Sequence, residues 1–419
     1  MSQQILQHTK ELAEELIALR HDLHQIPELA LSLPETQERV LSAIADCSEL
    51  EIHKCESASG FMAVLRGSQA SADINTRPIV LLRADMDALP VPEKTELTWK
   101  STNGRMHACG HDLHMSGLVG AVKVLYARRE ELCGDVVFMF QSGEEGYDGA
   151  QHMIDEGLLD AAGRTPDHAY GLHVWSARYP HGFIGTRPGA MMASADTMAI
   201  TVKGRGGHGS APHETLDPIP VAAEIITEVQ VMITREFNAF DPVVASCGQI
   251  HSGHASNVIN DEAFMEFTLR AFSPESRERL VRRMGELADG IARAHNMQVE
   301  VDTTRLYPVT MNNAEEYDFA ASTIESVFPG RWGVQETPMA AAEDFSKVLE
   351  QIPGVFIGVS AVEPGADHEA LPFNHSGYAH FSDNTVPDCA AVLASLAWAR
   401  LQGTAAKGNT QASTAGEGA

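Results

Sequence analysis

Residues 136–146 read VVFMFQSGEEG. Five apolar residues run without alternation and lead into a polar turn carrying two adjacent acids. An unbroken apolar run of this length fits a strand covered on both faces, as in a parallel sheet with helices on either side. The form recurs at IVLL (79–82), which runs into RADMD with Asp85 and Asp87, and at AYGLHV (169–174), which contains His173. FMAVL (61–65) and VFIGV (355–359) are further runs, and helical stretches such as MSGLVGAVKVLYARR (115–129) lie between several of them. This alternation predicts an α/β fold with a mostly parallel sheet flanked by helices. In such sheets sites form at the carboxyl ends of strands, where Asp85, Asp87, Glu144, Glu145 and His173 all fall.

Elsewhere the pattern changes. Leu12, Leu16, Leu19 and Leu23 recur at helical spacing and predict an amphipathic helix over about 9–25, ended by Pro27. From about Ala190 the order becomes strand, helix, two strands, helix, ending in ESRERLVRRMGELADGIARAHN. That order predicts a small α+β domain, residues 190–304, inserted into a larger domain made of 1–189 and 305–403. The small, polar stretch 404–419 reads as a disordered tail.

Lys plus Arg number 30 and Asp plus Glu 57, a formal net charge of −27. Such a surface disfavours nucleic acid and anionic membranes as partners. The six cysteines are scattered, which argues against a disulfide framework. The segment MSQQILQHTKELAEEL lacks the features of a signal peptide, and no apolar run approaches the ~20 residues of a membrane span. These features predict a cytoplasmic protein.

The chemistry-bearing residues cluster around MHACGHDLHM (106–115). Cys109 and His111 are a thiolate and an imidazole one residue apart, both good ligands for a borderline-soft divalent metal. Two adjacent acids usually mean a solvated turn, but Glu144 and Glu145 follow an apolar strand. On an extended segment their side chains would point in opposite directions. One could then hold a metal while the other faces a substrate water. His375 and His380 share FNHSGYAHF, and either could be a ligand; His107 and His114 read as neighbours. In KGRGGHGSAPH (203–213) a dinucleotide loop would need a helix starting at once. Pro212, Pro218 and Pro220 argue against that, leaving a glycine-rich turn that presents His208.

Over roughly residues 10–402 the chain resembles the aminoacylase and carboxypeptidase family of two-metal hydrolases. It most resembles the branch of hippurate hydrolases, N-acyl-amino-acid amidohydrolases and auxin-conjugate hydrolases. The motifs that carry this are LRHDLHQIPEL, LLRADMDALP, MHACGHDLH, the EEG turn, GLHVW, IGTRPGAMMASAD, GGHGSAPHETLDPI, SNVIND and AAEDFS, in that order. The resemblance implies an exopeptidase-like domain in which Cys109, His111, Glu145, His173 and His375 hold two divalent ions. Zinc is the first choice, with manganese or cobalt as alternatives. Glu144 would be the general base, and Asp87 would orient a ligand. The inserted domain would be a lid that also forms a homodimer, with His208 polarising the scissile carbonyl, commonly from the partner. Asn257 and Arg270 match positions linked to the substrate carboxylate. The implied reaction is cleavage of a small N-acyl amino acid to a carboxylic acid and a free amino acid; the nearest alternative is a dipeptidase or carboxypeptidase with the same machinery.

Two features depart from the family pattern. NHSGYAHFSDN lacks the usual Asn-Pro after the ligand His and has His380 where an Asp is common. FTLR stands where a Gly-Thr commonly precedes the Arg. Two rivals fail: a zinc deaminase needs H-x-E with P-C-x-x-C, which does not occur, and a mere binding protein has no need of Glu144.

Overall fold

The unbroken apolar runs form the interior of an eight-stranded sheet in the computed structural model, which describes residues 2–413. Its order is Glu51–Lys54, Phe61–Leu65, Asp135–Gln141, Ile79–Asp85, His168–Trp175, Gly354–Ser360, Ile184–Thr186, Trp332–Val334. The four strands from Asp135–Gln141 to Gly354–Ser360 are mutually parallel. All their residues are buried except half-buried His168. Antiparallel pairing is confined to the margins, where FMAVL runs against Asp135–Gln141 and Ile184–Thr186 against Gly354–Ser360. Registers Asp85↔Gln141 and His173↔Gly358 bring the polar ends of the central strands to one edge.

The sheet belongs to the first of two compact units: residues 1–189, 311–336 and 347–419. The single N-terminal helix expected at 9–25 is two helices, Ser2–Glu11 and Ala13–Gln25, with Leu16, Leu19 and Leu23 buried. They pack with the helices His111–Tyr126 and Val386–Ser413. The last of these runs into the stretch read as a tail; residues 414–419 lie outside the described residues. Among the described residues, no helix is long and apolar enough to cross a membrane.

The second unit comprises residues 190–310 and 337–346. Four antiparallel strands lie in the order Val243–His251, Glu262–Ala271, Ala195–Lys203, Gln298–Tyr307. Helices Pro218–Glu236 and Pro274–Ala294 enclose a core that includes Ile200, Ile225, Phe267 and Leu280. Asp217 and Ser273 cap these helices through the N–H groups of Ile219 and Ser276. The strand Gln298–Tyr307 is missing from the reading of the sequence. It is an edge strand, mostly exposed and polar, so it carries little apolar signal.

A buried charge cluster ties the helix Ala13–Gln25 to the one that starts at His111. Asp112 accepts from Arg20 Nε at 3.1 Å and pairs with His24 Nδ1 at 2.9 Å, while His24 Nε2 meets Glu93 at 3.0 Å. Burial alone would lower the His24 pKa, but Asp112 and Glu93 raise it from 6.5 to about 9. A group raised on folding stabilises fully below its unfolded pKa, and that contribution is lost as pH rises through the folded value. We expect the unfolding free energy to lose up to about 3 kcal/mol between pH 6.5 and 9 from this group. Urea titrations across that window should show the loss, and His24→Gln should flatten it. Equal slopes in both proteins would remove His24 from the account.

Candidate metal centre

Three segments of the first unit converge on Cys109. Its Sγ lies 3.3 Å from His173 Nε2 and 3.2 Å from His375 Nε2. Glu145 Oε1 is 3.3 Å from His375 Nε2 and 3.9 Å from His111 Nε2. Cys109 and His111 flank the start of the helix His111–Tyr126, which Gly110 allows by taking φ of 86°. His173 sits on its strand two residues before the end. His375 is held in a loop at φ 71°, a left-handed conformation unusual outside glycine, by its N–H donating to Ala108 O at 2.8 Å. Of the two histidines in FNHSGYAHF, His375 faces the cluster and His380 pairs with Glu363 instead.

The glutamate pair is not extended, so the expectation that its side chains diverge fails. Gly143 and Gly146, at φ 77° and 88°, bracket a tight turn, and Gly146 N–H donates to Glu144 O at 2.7 Å. One carboxylate oxygen from each of Glu144 and Glu145 lies within 4.8 Å of the other and of a ring nitrogen of His111. Asp87 acts differently from a simple ligand-orienting carboxylate. Its side chain accepts the N–H groups of Glu144 and Glu145 at 2.9 and 3.0 Å. Its backbone carbonyl, 2.8 Å from His111 Nδ1, orients the ring.

The tautomers follow from these bonds. His111 Nδ1 donates to a carbonyl, so its Nε2 carries a lone pair; that atom is buried and makes no hydrogen bond. His173 Nδ1 likewise donates to Val174 O at 2.9 Å and turns Nε2 toward Cys109. His114 accepts from Val174 N–H at Nε2 and donates from Nδ1 to Asp85 at 2.6 Å. Both its nitrogens are used, so it is a support rather than a ligand. Sequence reasoning had no signal for that role.

Charge within the cluster is unbalanced. Burial, then the fields of Glu145, Glu144 and Asp85, push the Cys109 thiol well above its usual pKa. Burial also holds His173 well below the imidazole range and lowers His111. Burial would raise Asp85, but Arg83, His111 and His114 hold it well below the carboxylate range. Burial raises Asp87. A divalent cation would supply the positive charge that such a site needs and would favour the thiolate form of Cys109. Thiolate, imidazole and carboxylate donors fit one.

His208, Asn257 and Arg270 lie in the second unit. His208 is on a two-residue strand paired with Val258–Ile259, next to Asn257, whose carbonyl accepts Gly209 N–H at 2.8 Å. Close backbone approach explains the glycines: a Cβ on Gly206 would lie 2.6 Å from Ile259 O. The next long helix begins only at Pro218. Ser210 N–H donates to His208 Nδ1 at 3.1 Å, which leaves Nε2–H as the donor of a neutral, exposed ring. Arg270 donates to Thr268 Oγ1 at 2.9 Å and Leu269 O at 2.8 Å, so FTLR supplies its own support for the guanidinium. Asn257 and His208 belong to the Glu262 end of the strand Glu262–Ala271 and Arg270 to the other. Eight residues at ~3.4 Å each separate those ends by about 27 Å.

Residues 81–399 match the family described as Peptidase family M20/M25/M40. Thermostable carboxypeptidase 1 of Saccharolobus solfataricus is 34% identical, covering 83% of this chain and 86% of its own. Hippurate hydrolase of Campylobacter jejuni is 34% identical over 81% of this chain and 86% of its own. Among solved structures, a Bacillus subtilis protein described as a dinuclear metal binding peptidase of the M20 family superposes with a TM-score of 0.79. It is 29% identical and covers 94% of this chain and 99% of its own.

Gly110 gives a direct test of the cluster's framework. A Cβ there would lie 2.4 Å from Val174 Cγ2, at a positive φ. Gly110→Ala should therefore cost about 2 kcal/mol or more in a urea titration. A loss below about 0.5 kcal/mol, the range of ordinary surface changes, would show that the turn relaxes freely.

Proposed function

Because the chain belongs to peptidase family M20/M25/M40 and is a hydrolase acting on amides, we propose that it cleaves N-acyl amino acids to a carboxylic acid and a free amino acid. The observation that carries this is the convergence of Cys109, His111, Glu145, His173 and His375, with the second carboxylate of Glu144 beside them. Those five residues hold two divalent ions in this reading. The thiolate and imidazoles favour zinc, and the carboxylate side also suits manganese or cobalt. When bound, the ions acidify water and polarise the scissile carbonyl. Glu144 takes the proton of the attacking water and returns it to the leaving amine as the C–N bond breaks. All six cysteines are free, which supports a reducing, cytoplasmic setting.

The second unit supplies recognition. His208 donates Nε2–H to the oxyanion, and Asn257 and Arg270 take the substrate carboxylate. One copy cannot present both ends of a ~27 Å strand to one small substrate. A homodimer resolves this, with His208 and Asn257 coming from the partner subunit. The carboxypeptidase relative favours a second reading, peptide cleavage by the same centre. Comparing N-acetyl and N-benzoyl amino acids with free dipeptides separates the two: faster turnover of the dipeptides would overturn the acyl-amino-acid reading.

Glu144→Gln should keep both metals and lower kcat by ~10²–10⁴-fold. Metal loss, or near-normal kcat, would reverse the roles of the two glutamates.

Subunit exchange tests the dimer. Mixed with inactive Glu144→Gln, inactive His208→Ala should recover about a quarter of wild-type activity, since half the dimers are hybrid and each holds one intact site. Confirmed hybrids without activity would place His208 in its own subunit's site.

A further inference from the structure

Asn374 precedes His375 in a position that neither the ligand set nor the general base accounts for. Its Nδ2 donates to Val174 O at 2.9 Å and to Cys109 O at 3.2 Å, and it lies 3.8 Å from Cys109 Sγ. Its Oδ1 accepts from Ser176 N–H at 3.0 Å. A backbone N–H can only donate, so the amide orientation is settled: oxygen toward Ser176, nitrogen toward the two carbonyls. Ser176 Oγ lies 2.9 Å from Pro372 O and 3.1 Å from Asn374 Oδ1, which seats the loop that carries His375. Val174 O is the same carbonyl that accepts His173 Nδ1–H and sets its tautomer. One amide thus touches the segments bearing Cys109 and His173 while it is bonded through the chain to His375.

We propose that Asn374 is a positioning residue that locks Cys109, His173 and His375 into a geometry ready for metal. This rests on the reading of those three as ligands. It also accounts for the left-handed backbone of His375: fixing the side chain of residue 374 and the His375 N–H to Ala108 O leaves the intervening backbone little choice. Aspartate at 374 would keep the shape but point acceptors at two carbonyls and a thiolate.

The test is titration of metal-free enzyme with cobalt(II), followed by the thiolate-to-cobalt charge-transfer band, alongside thermal unfolding of the metal-free protein. Asn374→Asp and Asn374→Ala should bind cobalt ~10–100-fold more weakly, with an altered band. Metal-free Tm should fall by about 3 °C or less, because the effect is on ligand geometry rather than on folding. If the aspartate variant does not fold, the alanine variant decides. Wild-type-like affinity, within about twofold, or a loss that follows unfolding of the metal-free protein, would overturn the proposal. The controls separate its failure from that of the ligand reading. If wild type shows no thiolate band, or Cys109→Ala binds cobalt as wild type does, the ligand reading falls and takes the proposal with it. If wild type shows the band and both Asn374 variants match it, only the positioning role falls.

Discussion

The fully buried carboxylate of Asp87 holds two backbone N–H groups at once, and the arrangement of the centre depends on it. Those N–H groups belong to Glu144 and Glu145, which lie in the turn beyond the end of the strand Asp135–Gln141. A buried turn with unsatisfied amides would cost roughly 1–3 kcal/mol per group. Through its main-chain carbonyl the same residue fixes the ring of His111. One residue therefore sets both the glutamate turn and the imidazole of His111. Asp85, two residues earlier, is balanced by Arg83 and His114 instead, and through His114 it reaches the strand that carries His173. Supports of this kind explain how so many like charges share a buried space.

On the proposed reading the two units divide the work. Groups suited to holding metal and moving a proton lie in the first unit, on the ends of parallel strands and the loops that follow them. Groups suited to recognising a substrate lie in the second, at opposite ends of one antiparallel strand. Separate cores allow recognition to vary without disturbing the chemistry. The second unit's glycine-rich turn is built for close packing against its own backbone, which leaves His208 exposed with a defined tautomer.

Much of the first unit is legible in the sequence because its strands are covered on both faces and so read as unbroken apolar runs. The polar residues interrupting those runs stand out for the same reason, which is how Glu144, Glu145 and His173 attract notice. Cys109 and His111 are conspicuous through chemistry alone. What escapes is set by geometry that has no compositional mark. The break at Leu12 has no proline or glycine to announce it. The strand Gln298–Tyr307 is an exposed edge. The turn at Glu144–Glu145 depends on glycines whose positive φ values are visible only in three dimensions. Asn374 looks like an ordinary loop asparagine until its two carbonyl partners, about 200 and 265 residues away in sequence, are brought to it.

The order in which the cluster's residues occur along the chain bears on how the protein is made. Cys109, His111, Glu145 and His173 all precede the inserted unit, but His375 follows it, as does the strand Gly354–Ser360 that pairs with the His173 strand. On the ribosome, the first unit exposes an unpaired parallel edge while more than a hundred residues of another unit emerge and fold. At ~5–20 residues per second, that wait lasts on the order of ten seconds. Parallel pairing across so long a loop is intrinsically slow and open to aggregation. Cys109, His111, Glu145 and His173 are thus synthesised well before His375, and the full cluster can close only after the second unit has emerged.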